Sequence, residues 1–380
     1  MLNANSNALG IIFPNSYDST VPEMTNERLM ASIPFGSRYR MIDFLLSSMV
    51  NSGIDNVTVV VRENYLSLLD HLGSGREWDL TRKNGGLNIV PPFAQRTSKV
   101  FSGRVEALNN ILPFLKRQKE EYVVLSDANI VANFDFKAMI EAHIKSGADV
   151  TIAYNKEADN AATPDSVIAG REMFYTLKVD GNDVKEIKIN QKPDGVNNVG
   201  MNIYVLKREL LIDMIAEAFV NGETYFERDI LCKKLSELDV KAYEYTGYVA
   251  RIYSVNKYFA ESMKLLEVDN INKLFAPGPI YTKVRDDNPT RYIGDAKAKK
   301  VMVADGCVIE GTIENCILFR GVKIGKGAVV KNCILMQDTI IGDGAELSYV
   351  ITDKDVTVNA GAELKGSESF PVYVAKGKTV

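Results

Sequence analysis

The C-terminal part of the chain carries a short repeat, and this repeat limits the fold more than any other feature of the sequence. Near-copies of one pattern, in which apolar residues are followed by a glycine or alanine turn, lie at 308–311, 322–328, 339–345 and 356–362. Apolar residues also recur at every sixth position, as at Leu318, Ile324, Val330 and Met336. A hexapeptide period is the signature of a left-handed parallel β-helix, in which one branched apolar residue per hexad fills the axis. We therefore predict about three to four coils over residues 301–366.

Upstream of the repeat, segments typical of strands alternate with segments typical of helices. Apolar runs predict strands at 9–13, 57–61, 122–125 and 150–153, and apolar periodicity predicts helices at 42–50, 65–72, 105–115, 136–145 and 259–268. Such alternation is typical of a mainly parallel sheet that helices cover on both faces. We therefore expect an α/β domain over 1–268, an extended linker rich in proline and glycine over 269–291, and a β-helix domain over 292–380.

Composition and charge exclude several classes of protein. The chain of 380 residues has a net charge of −4 and no basic block, which argues against nucleic acid as a main partner. The N-terminus lacks the basic and apolar segments of a signal peptide, and no apolar run approaches the ~20 residues that span a bilayer. The four cysteines form no closely spaced pair, so we expect no disulfide framework and no zinc site. We expect a cytoplasmic protein in which Cys307, Cys316 and Cys333 fill the core of the β-helix.

Hexapeptide repeats also occur in acyltransferases, whose active sites depend on a histidine of the β-helix. The two histidines of this chain, His71 and His143, both lie in the first predicted domain. An acyltransferase is therefore not expected.

The segment 34–54 carries a long motif in register. Its parts PFGSRYR at 34–40, IDF at 42–44 and NSGI at 51–54 resemble the PFGGKYRIIDF…VNSGI segment of the ADP-glucose pyrophosphorylases (glucose-1-phosphate adenylyltransferases). Residues 225–231 resemble the DFGKDIIP segment of the same family, and 248–259 resemble YWRDVGTIDSYW. The resemblance covers nearly the whole chain. It implies a nucleotidyltransferase-like, Rossmann-like mixed sheet domain followed by the left-handed β-helix, and a tetramer to which the β-helix contributes.

The phosphate-binding loop of that family is absent. Glycines in such a loop let backbone N–H groups approach an anion, and a basic residue adds charge. Residues 13–25 contain no glycine, lysine or arginine, and Met30 stands where the resemblance implies a lysine. We expect an ordinary surface loop here that does not bind phosphate.

Both metal-binding carboxylates that the resemblance implies are also missing. The first falls on Asn129, or nearer to Asp127 if the segments are aligned one residue differently, and the second falls on Arg251. A neutral amide is a poor ligand for a hard cation, and a guanidinium cannot be deprotonated and repels one. We therefore predict no catalytic residues and no metal site, with Met30, Asn129 and Arg251 as degenerate positions.

Some ligand-binding positions of the family are retained. Gly103 lies in a segment, 101–107, that takes the place of the family's GTADA motif near the nucleotide, and Gln191-Lys192 resembles the Glu-Lys of its sugar-phosphate motif FxEKP. We predict substrate contacts for Gly103, Gln191 and Lys192, although Lys192 is equally well explained as a solvated turn residue. Arg28, Arg38 and Arg40 are predicted to bind an anionic effector.

These features predict a noncatalytic regulatory subunit of ADP-glucose pyrophosphorylase in bacterial glycogen biosynthesis. It would bind the catalytic GlgC subunit in a hetero-oligomer, a heterotetramer on the family pattern, and would need no cofactor. Two alternatives stay open. The first is an active glucose-1-phosphate adenylyltransferase, which would need Mg²⁺ to join ATP and glucose 1-phosphate into ADP-glucose and pyrophosphate. The second is a sugar-phosphate sensor that keeps ligand binding through Lys192 and the three arginines. Whether the chain also forms a homo-oligomer is left open by the sequence.

Overall fold

The computed structural model describes residues 6–92, 101–157, 174–191 and 195–380. Its first part is built on a nine-stranded sheet with the strand order β5-β4-β1-β6-β11-β8-β12-β10-β9. In chain order the strands of this part are β1 (Ala8–Phe13), β2 (Pro34–Phe35), β3 (Tyr39–Arg40), β4 (Asn56–Val60), β5 (Gly86–Val90), β6 (Tyr122–Asp127), β7 (Ile130–Val131), β8 (Val150–Glu157), β9 (Tyr175–Asp180), β10 (Asp183–Ile189), β11 (Asn197–Lys207), β12 (Val240–Glu244) and β13 (Ala250–Arg251).

The sheet is mixed, whereas the alternation of strands and helices predicted a mainly parallel one. β5, β4, β1 and β6 run parallel, but β11 runs antiparallel to both of its neighbours, β6 and β8. The hairpin of β9 and β10 adds a further antiparallel pair. A sequence pattern reports where strands lie but not their direction, and a short turn rather than a crossover helix joins β9 to β10.

Helices cover both faces of the sheet. Leu9 and Ile11 of β1 face one buried apolar cluster, while Ala8 and Ile12 of the same strand face another. The α-helices are α1 (Pro22–Thr25), α2 (Met41–Asn51), α3 (Leu66–Leu72), α4 (Arg104–Asn110), α5 (Leu112–Leu115), α6 (Phe136–Ser146), α7 (Arg208–Val220), α8 (Cys232–Lys234), α9 (Val255–Lys264) and α10 (Val268–Phe275). Single 3₁₀ turns lie at Asp18–Thr20, Met30–Ser32 and Arg76–Trp78, and a π-helical turn lies at Phe226–Leu231. Within the described ranges, no helix combines the length and the apolar character that a membrane crossing requires.

The segment predicted to be an extended linker begins with a helix, so that part of the interpretation is wrong. α10 ends at Phe275, and no helix or strand follows before Arg291. Leu274 of this helix is fully buried, and the Phe275 ring packs against the Tyr39 ring with 5.5 Å between centroids. Burial against the first domain therefore stabilises a helix next to the Pro-Gly-Pro sequence that suggested an extended chain.

The C-terminal part forms a parallel β-helix, as the hexapeptide period predicts. One of its faces is a five-stranded sheet in which Ile309, Ile324, Ile341 and Val358 are register partners. These four residues are buried, as are Cys307, Cys316 and Cys333. The strands are β14 (Arg291–Tyr292), β15 (Lys297–Val303), β16 (Val308–Ile309), β17 (Thr312–Leu318), β18 (Lys323–Ile324), β19 (Val329–Lys331), β20 (Ile334–Leu335), β21 (Ile340–Ile341), β22 (Glu346–Ser348), β23 (Val350–Thr352), β24 (Thr357–Val358), β25 (Glu363–Lys365) and β26 (Val372–Val374).

The β-helix packs against the first part of the chain through one shared apolar cluster. Phe44 and Tyr258 come from the first part, and Ile317, Ile334 and Ile351 come from the β-helix. This contact fixes the two parts against each other and creates a cleft between them.

Candidate functional site

The first candidate site is a cleft at the carboxyl edge of the sheet, where ligands bind in open α/β folds. β1 and β6 are parallel and in register up to Phe13 and Asp127, so both strands end at this edge. The cavity there measures about 100 Å³. Its lining includes Ser16, Tyr17 and Glu227 beside those two strand ends.

Arg104 fills the floor of this cleft. It is the first residue of α4, and its guanidinium donates to both carboxylate oxygens of Asp127 at 2.8 and 2.7 Å. It also forms an ion pair with Glu227, and it lies over the rings of Phe13 and Tyr204. Burial lowers the pKa of Arg104, but Asp127 and Glu227 together raise that pKa above its ordinary value. The arginine is therefore a permanent cation inside the cleft.

The pKa of Asp127 is raised as well, but here burial is the largest cause. Burial raises the pKa of its carboxyl to about 6; Arg104 opposes this shift, whereas the nearby Glu227 carboxylate adds to it. Ser16 Oγ donates a hydrogen bond of 2.8 Å to Oδ1 of the same carboxyl. The cleft thus contains two acidic groups whose charges this chain itself partly neutralises.

The loop after β1 is not the surface loop that its composition suggested, so the expected surface position is wrong, while the expectation that it does not bind phosphate stays a prediction. Tyr17, Val21 and Met24 are buried, and Val21 and Met24 belong to the cluster shared with the β-helix. Tyr17 lines the cleft, and its hydroxyl accepts a 2.7 Å hydrogen bond from Asn202 Nδ2. Large apolar side chains, rather than glycines, decide where this loop lies, because their burial outweighs the cost of ordering it.

Met30 is a core residue. Its side chain is fully buried, and its backbone N–H donates to Asp18 Oδ1 at 2.6 Å. A lysine here would place an ammonium group in an apolar cluster, so the substitution by methionine agrees with the packing.

The structure brings Asn129 and Arg251 close together. β7 and β13 pair so that Arg251 lies opposite Ile130, and the Ile252 N–H donates to the Asn129 carbonyl at 2.9 Å. The Asn129 side chain is buried, and its Oδ1 has no hydrogen-bond partner among the described residues.

The guanidinium of Arg251 is bound entirely by protein groups. It donates to Glu157 Oε1 at 3.1 Å, to the Gly200 carbonyl at 3.0 Å and to Asn155 Oδ1 at 2.9 Å. Although burial raises the pKa of Glu157, Arg251 and Asn155 lower it to a net value below the ordinary one. Arg251 therefore links β8, through Asn155 and Glu157, to the Gly200 carbonyl of β11.

Two of the three predicted substrate positions lie among the described residues. Gly103 lines the first cleft, and a Cβ added there would lie 2.5 Å from the Thr224 carbonyl oxygen, so glycine is required by close packing. Gln191 is exposed, and Lys192 lies outside the described residues. The roles proposed for these three residues stay predictions.

The second candidate site is the cleft between the two parts of the chain, with a cavity of about 300 Å³. Of the three arginines predicted to bind an anionic effector, Arg38 and Arg40 line this cleft and Arg28 does not. Other basic side chains that sequence analysis did not single out complete the lining: Lys283, Arg285, Arg320 and Lys354. Arg28 is instead buried in an ion pair with Asp353 at 2.7 Å.

The basic side chains of this interdomain cleft repel one another electrostatically. Burial, together with the charges of Arg40 and Arg28, lowers the pKa of Lys354 to about 7. Burial likewise lowers the pKa of Arg40 to about 10. Some of the charge is neutralised, since Lys283 pairs with Asp70 at 3.1 Å. The remaining positive potential favours an anionic ligand.

The residues that sequence analysis missed come from distant segments. Arg104 and Glu227 are 123 positions apart, and Lys354 lies in the β-helix far from the arginines it faces. Arg104 did carry a signal, because it replaces the threonine of the GTADA motif. In the parts of the chain that the structure describes, no group of three or more histidine, cysteine, aspartate or glutamate side chains is arranged to hold a metal ion.

Comparison with known proteins gives two family matches along the chain. The nucleotidyl transferase family matches residues 21–250, and the GlmU-like C-terminal hexapeptide family matches residues 284–368. The glycogen biosynthesis protein GlgD of Bacillus subtilis (strain 168) is 36% identical over 85% of this chain and 82% of its own length. GlgD of Geobacillus stearothermophilus is 40% identical over 86% of this chain and 83% of its own length. The glucose-1-phosphate adenylyltransferase of the latter organism is 30% identical over 85% of this chain and 82% of its own length.

Proposed function

The chain belongs to the nucleotidyl transferase family that contains GlgD proteins and glucose-1-phosphate adenylyltransferases, and on that premise we propose that it is a noncatalytic regulatory subunit of ADP-glucose pyrophosphorylase in bacterial glycogen biosynthesis. The observation that carries the proposal is the environment of Arg251. Its guanidinium is buried and bound to Glu157, Asn155 and Gly200, at the position where the resemblance implies a metal-binding carboxylate. A fixed cation there repels a divalent cation, which phosphoryl chemistry of this kind requires.

We propose the catalytic GlgC subunit as its partner, in a cytoplasmic heterotetramer. The support comes from the first coil of the β-helix. Within the described residues β14 pairs only with β16, and β15 only with β17, so each has a free edge. Tyr292 and Ile293 on this coil are exposed to 53% and 39%. Free strand edges next to exposed apolar side chains are the features that a neighbouring chain covers.

The test uses the full chain together with a catalytic homologue from the same organism. We expect no synthesis of ADP-glucose from ATP and glucose 1-phosphate by this chain alone, co-elution of the two proteins, and altered kinetics of the mixture. Tyr292→Lys should reduce co-elution. Ile340→Lys, which changes an exposed side chain on the flank of the β-helix, is the matched control. Mg²⁺-dependent synthesis by the purified chain alone would instead establish the active alternative.

The interdomain cleft supports a second role within the same proposal, the binding of an anionic effector such as a sugar phosphate. The lining carries Arg38, Arg40 and Lys354, and Nε of Arg320 is buried without a hydrogen-bond partner in the described residues. Calorimetry with glucose 1-phosphate, fructose bisphosphate and inorganic phosphate tests this role. We expect binding of at least one of them that Arg38→Ala weakens, and no binding of any of them would contradict it.

A further inference from the structure

Two buried carboxylates in the first cleft converge on one point. Asp127 ends β6, and Glu227 lies on the π-helical turn Phe226–Leu231. Their side chains are exposed to only 1% and 7%. Burying two like charges side by side is unfavourable unless a cation lies between them. That cation is Arg104, which contacts both carboxylates.

Further contacts hold this guanidinium in place. The rings of Phe13 and Tyr204 lie 5.1 and 5.6 Å from its central carbon, so its faces are covered by aromatic groups. The Tyr204 hydroxyl donates a 2.8 Å hydrogen bond to Glu227, and Ser16 donates one to Asp127. Each carboxylate is thus oriented towards Arg104 by a second group, as the ligands of a cation site are.

The substitutions that build this arrangement occur in separate motifs. In the family segments quoted above, a threonine stands at the position of Arg104 and a glycine at the position of Glu227. The added cation and the added carboxylate contact each other in the folded chain. This complementarity indicates that the two positions form one electrostatic unit.

From these contacts we infer that Arg104 is a built-in cation that occupies a cation-binding position between Asp127 and Glu227, and so keeps divalent metal ions out of the cleft. The inference does not depend on the identity of the partner or of the effector. It predicts that the wild-type chain does not bind a divalent metal ion in this cleft and that one substitution creates a binding site. Removing the guanidinium leaves two oriented carboxylates around the space that it occupied, and carboxylate oxygens are ligands suited to Mn²⁺ or Mg²⁺.

The experiment measures Mn²⁺ binding to the full chain through loss of the electron paramagnetic resonance signal of free Mn²⁺. We expect no specific binding by the wild-type protein and one bound Mn²⁺ per chain for Arg104→Ala and Arg104→Gln. Binding should be lost again when either variant also carries Asp127→Asn. Arg62→Ala is the matched control, because Arg62 lines the same cavity without touching either carboxylate in the described contacts and its removal should create no site.

Two results obtained with folded protein would overturn the inference. One is Mn²⁺ binding by the wild-type chain that Asp127→Asn abolishes, since Arg104 would then not exclude the metal. The other is a folded Arg104→Ala or Arg104→Gln protein that binds no Mn²⁺. If neither variant folds in metal-free buffer, refolding with millimolar Mn²⁺ should recover folded protein, because the metal replaces the missing charge; failure of Mn²⁺ to recover either variant would equally contradict the inference.

Discussion

Arg28 and Asp353 lie 325 positions apart in the sequence and form a buried ion pair of 2.7 Å between the α/β part and the β-helix. Tyr373 Oη donates a further 2.7 Å hydrogen bond to the same carboxylate. This pair, together with the shared apolar cluster, fixes the geometry of the interdomain cleft.

The first prediction concerns this ion pair. Arg28→Ala leaves the Asp353 carboxylate buried without its cation, and breaking a buried pair in this way costs roughly 3–5 kcal/mol of the free energy of unfolding. Urea unfolding monitored by circular dichroism measures the loss. Arg82→Ala is the control, because the Arg82–Asp55 pair is partly exposed and should contribute at most about 1 kcal/mol. Equal effects of the two substitutions would contradict the structural role of Arg28.

The second prediction concerns the protonation of Lys354. Its pKa is lowered to about 7 by burial and by Arg40 and Arg28, against the opposing effect of Asp353. Near pH 7 about half of the ammonium is deprotonated, and an anion bound in the cleft raises the pKa and draws a proton onto Nζ. We therefore expect inorganic phosphate to bind with proton uptake near pH 7, and to bind more tightly at pH 6.5 than at pH 8.

Calorimetry in two buffers of different ionisation enthalpy measures this proton uptake. Lys354→Met should reduce the uptake, and it should weaken phosphate binding more at pH 6.5 than at pH 8. Phosphate itself gains charge as pH rises and Arg40 also faces the ligand, so the comparison with Lys354→Met at each pH isolates the lysine. Identical proton uptake by the two proteins would exclude Lys354 as its source.

The third prediction concerns Asp127. The folded chain raises the pKa of this carboxyl from 3.8 to about 6, so the folded state binds the proton more tightly than the unfolded state does. The associated stability is present below pH ~4 and is lost as pH rises through 6, with an upper limit of roughly 3 kcal/mol. Asp127→Asn removes this titration. As pH falls from 7 to 4.5, the unfolding free energy of the wild-type protein should therefore rise relative to that of Asp127→Asn. A difference between the two proteins that stays constant with pH would contradict the raised pKa.

The fourth prediction concerns Arg251. Arg251→Gln breaks its ion pair with Glu157 and leaves that carboxylate partly buried, with a cost of up to about 3–5 kcal/mol. Adding Glu157→Gln removes the unpaired charge, so the double variant should recover part of the loss. A double-mutant cycle by urea unfolding measures the coupling, and strictly additive effects would show that the two side chains do not interact.

We expect no ADP-glucose synthesis from Arg251→Asp alone, because Met30 and Arg104 remain.

The sequence pattern predicted those features that depend on a local period or on a long motif. The hexapeptide step indicated the β-helix, and the apolar stripe of 42–50 indicated α2. The resemblance also selected Asn129 and Arg251, which the pairing of β7 with β13 brings together.

The features that were missed depend on contacts between distant segments. The composition of 13–25 showed what this loop lacks for phosphate binding, but not that Tyr17, Val21 and Met24 would be buried. The pairing of Arg104 with Glu227 and the position of Lys354 in the interdomain cleft arise only when separate elements pack. The helix α10 was missed for the same reason, since Leu274 is stabilised by tertiary burial rather than by a local signal.

The position of Arg104 also limits what a change elsewhere in the cleft can do. An acidic residue at Arg251 or a lysine at Met30 would still leave a guanidinium held by Asp127 and Glu227, while removing Arg104 alone would leave two buried carboxylates without their cation. Giving this cleft the charges of a nucleotidyl transferase would therefore require several coordinated substitutions.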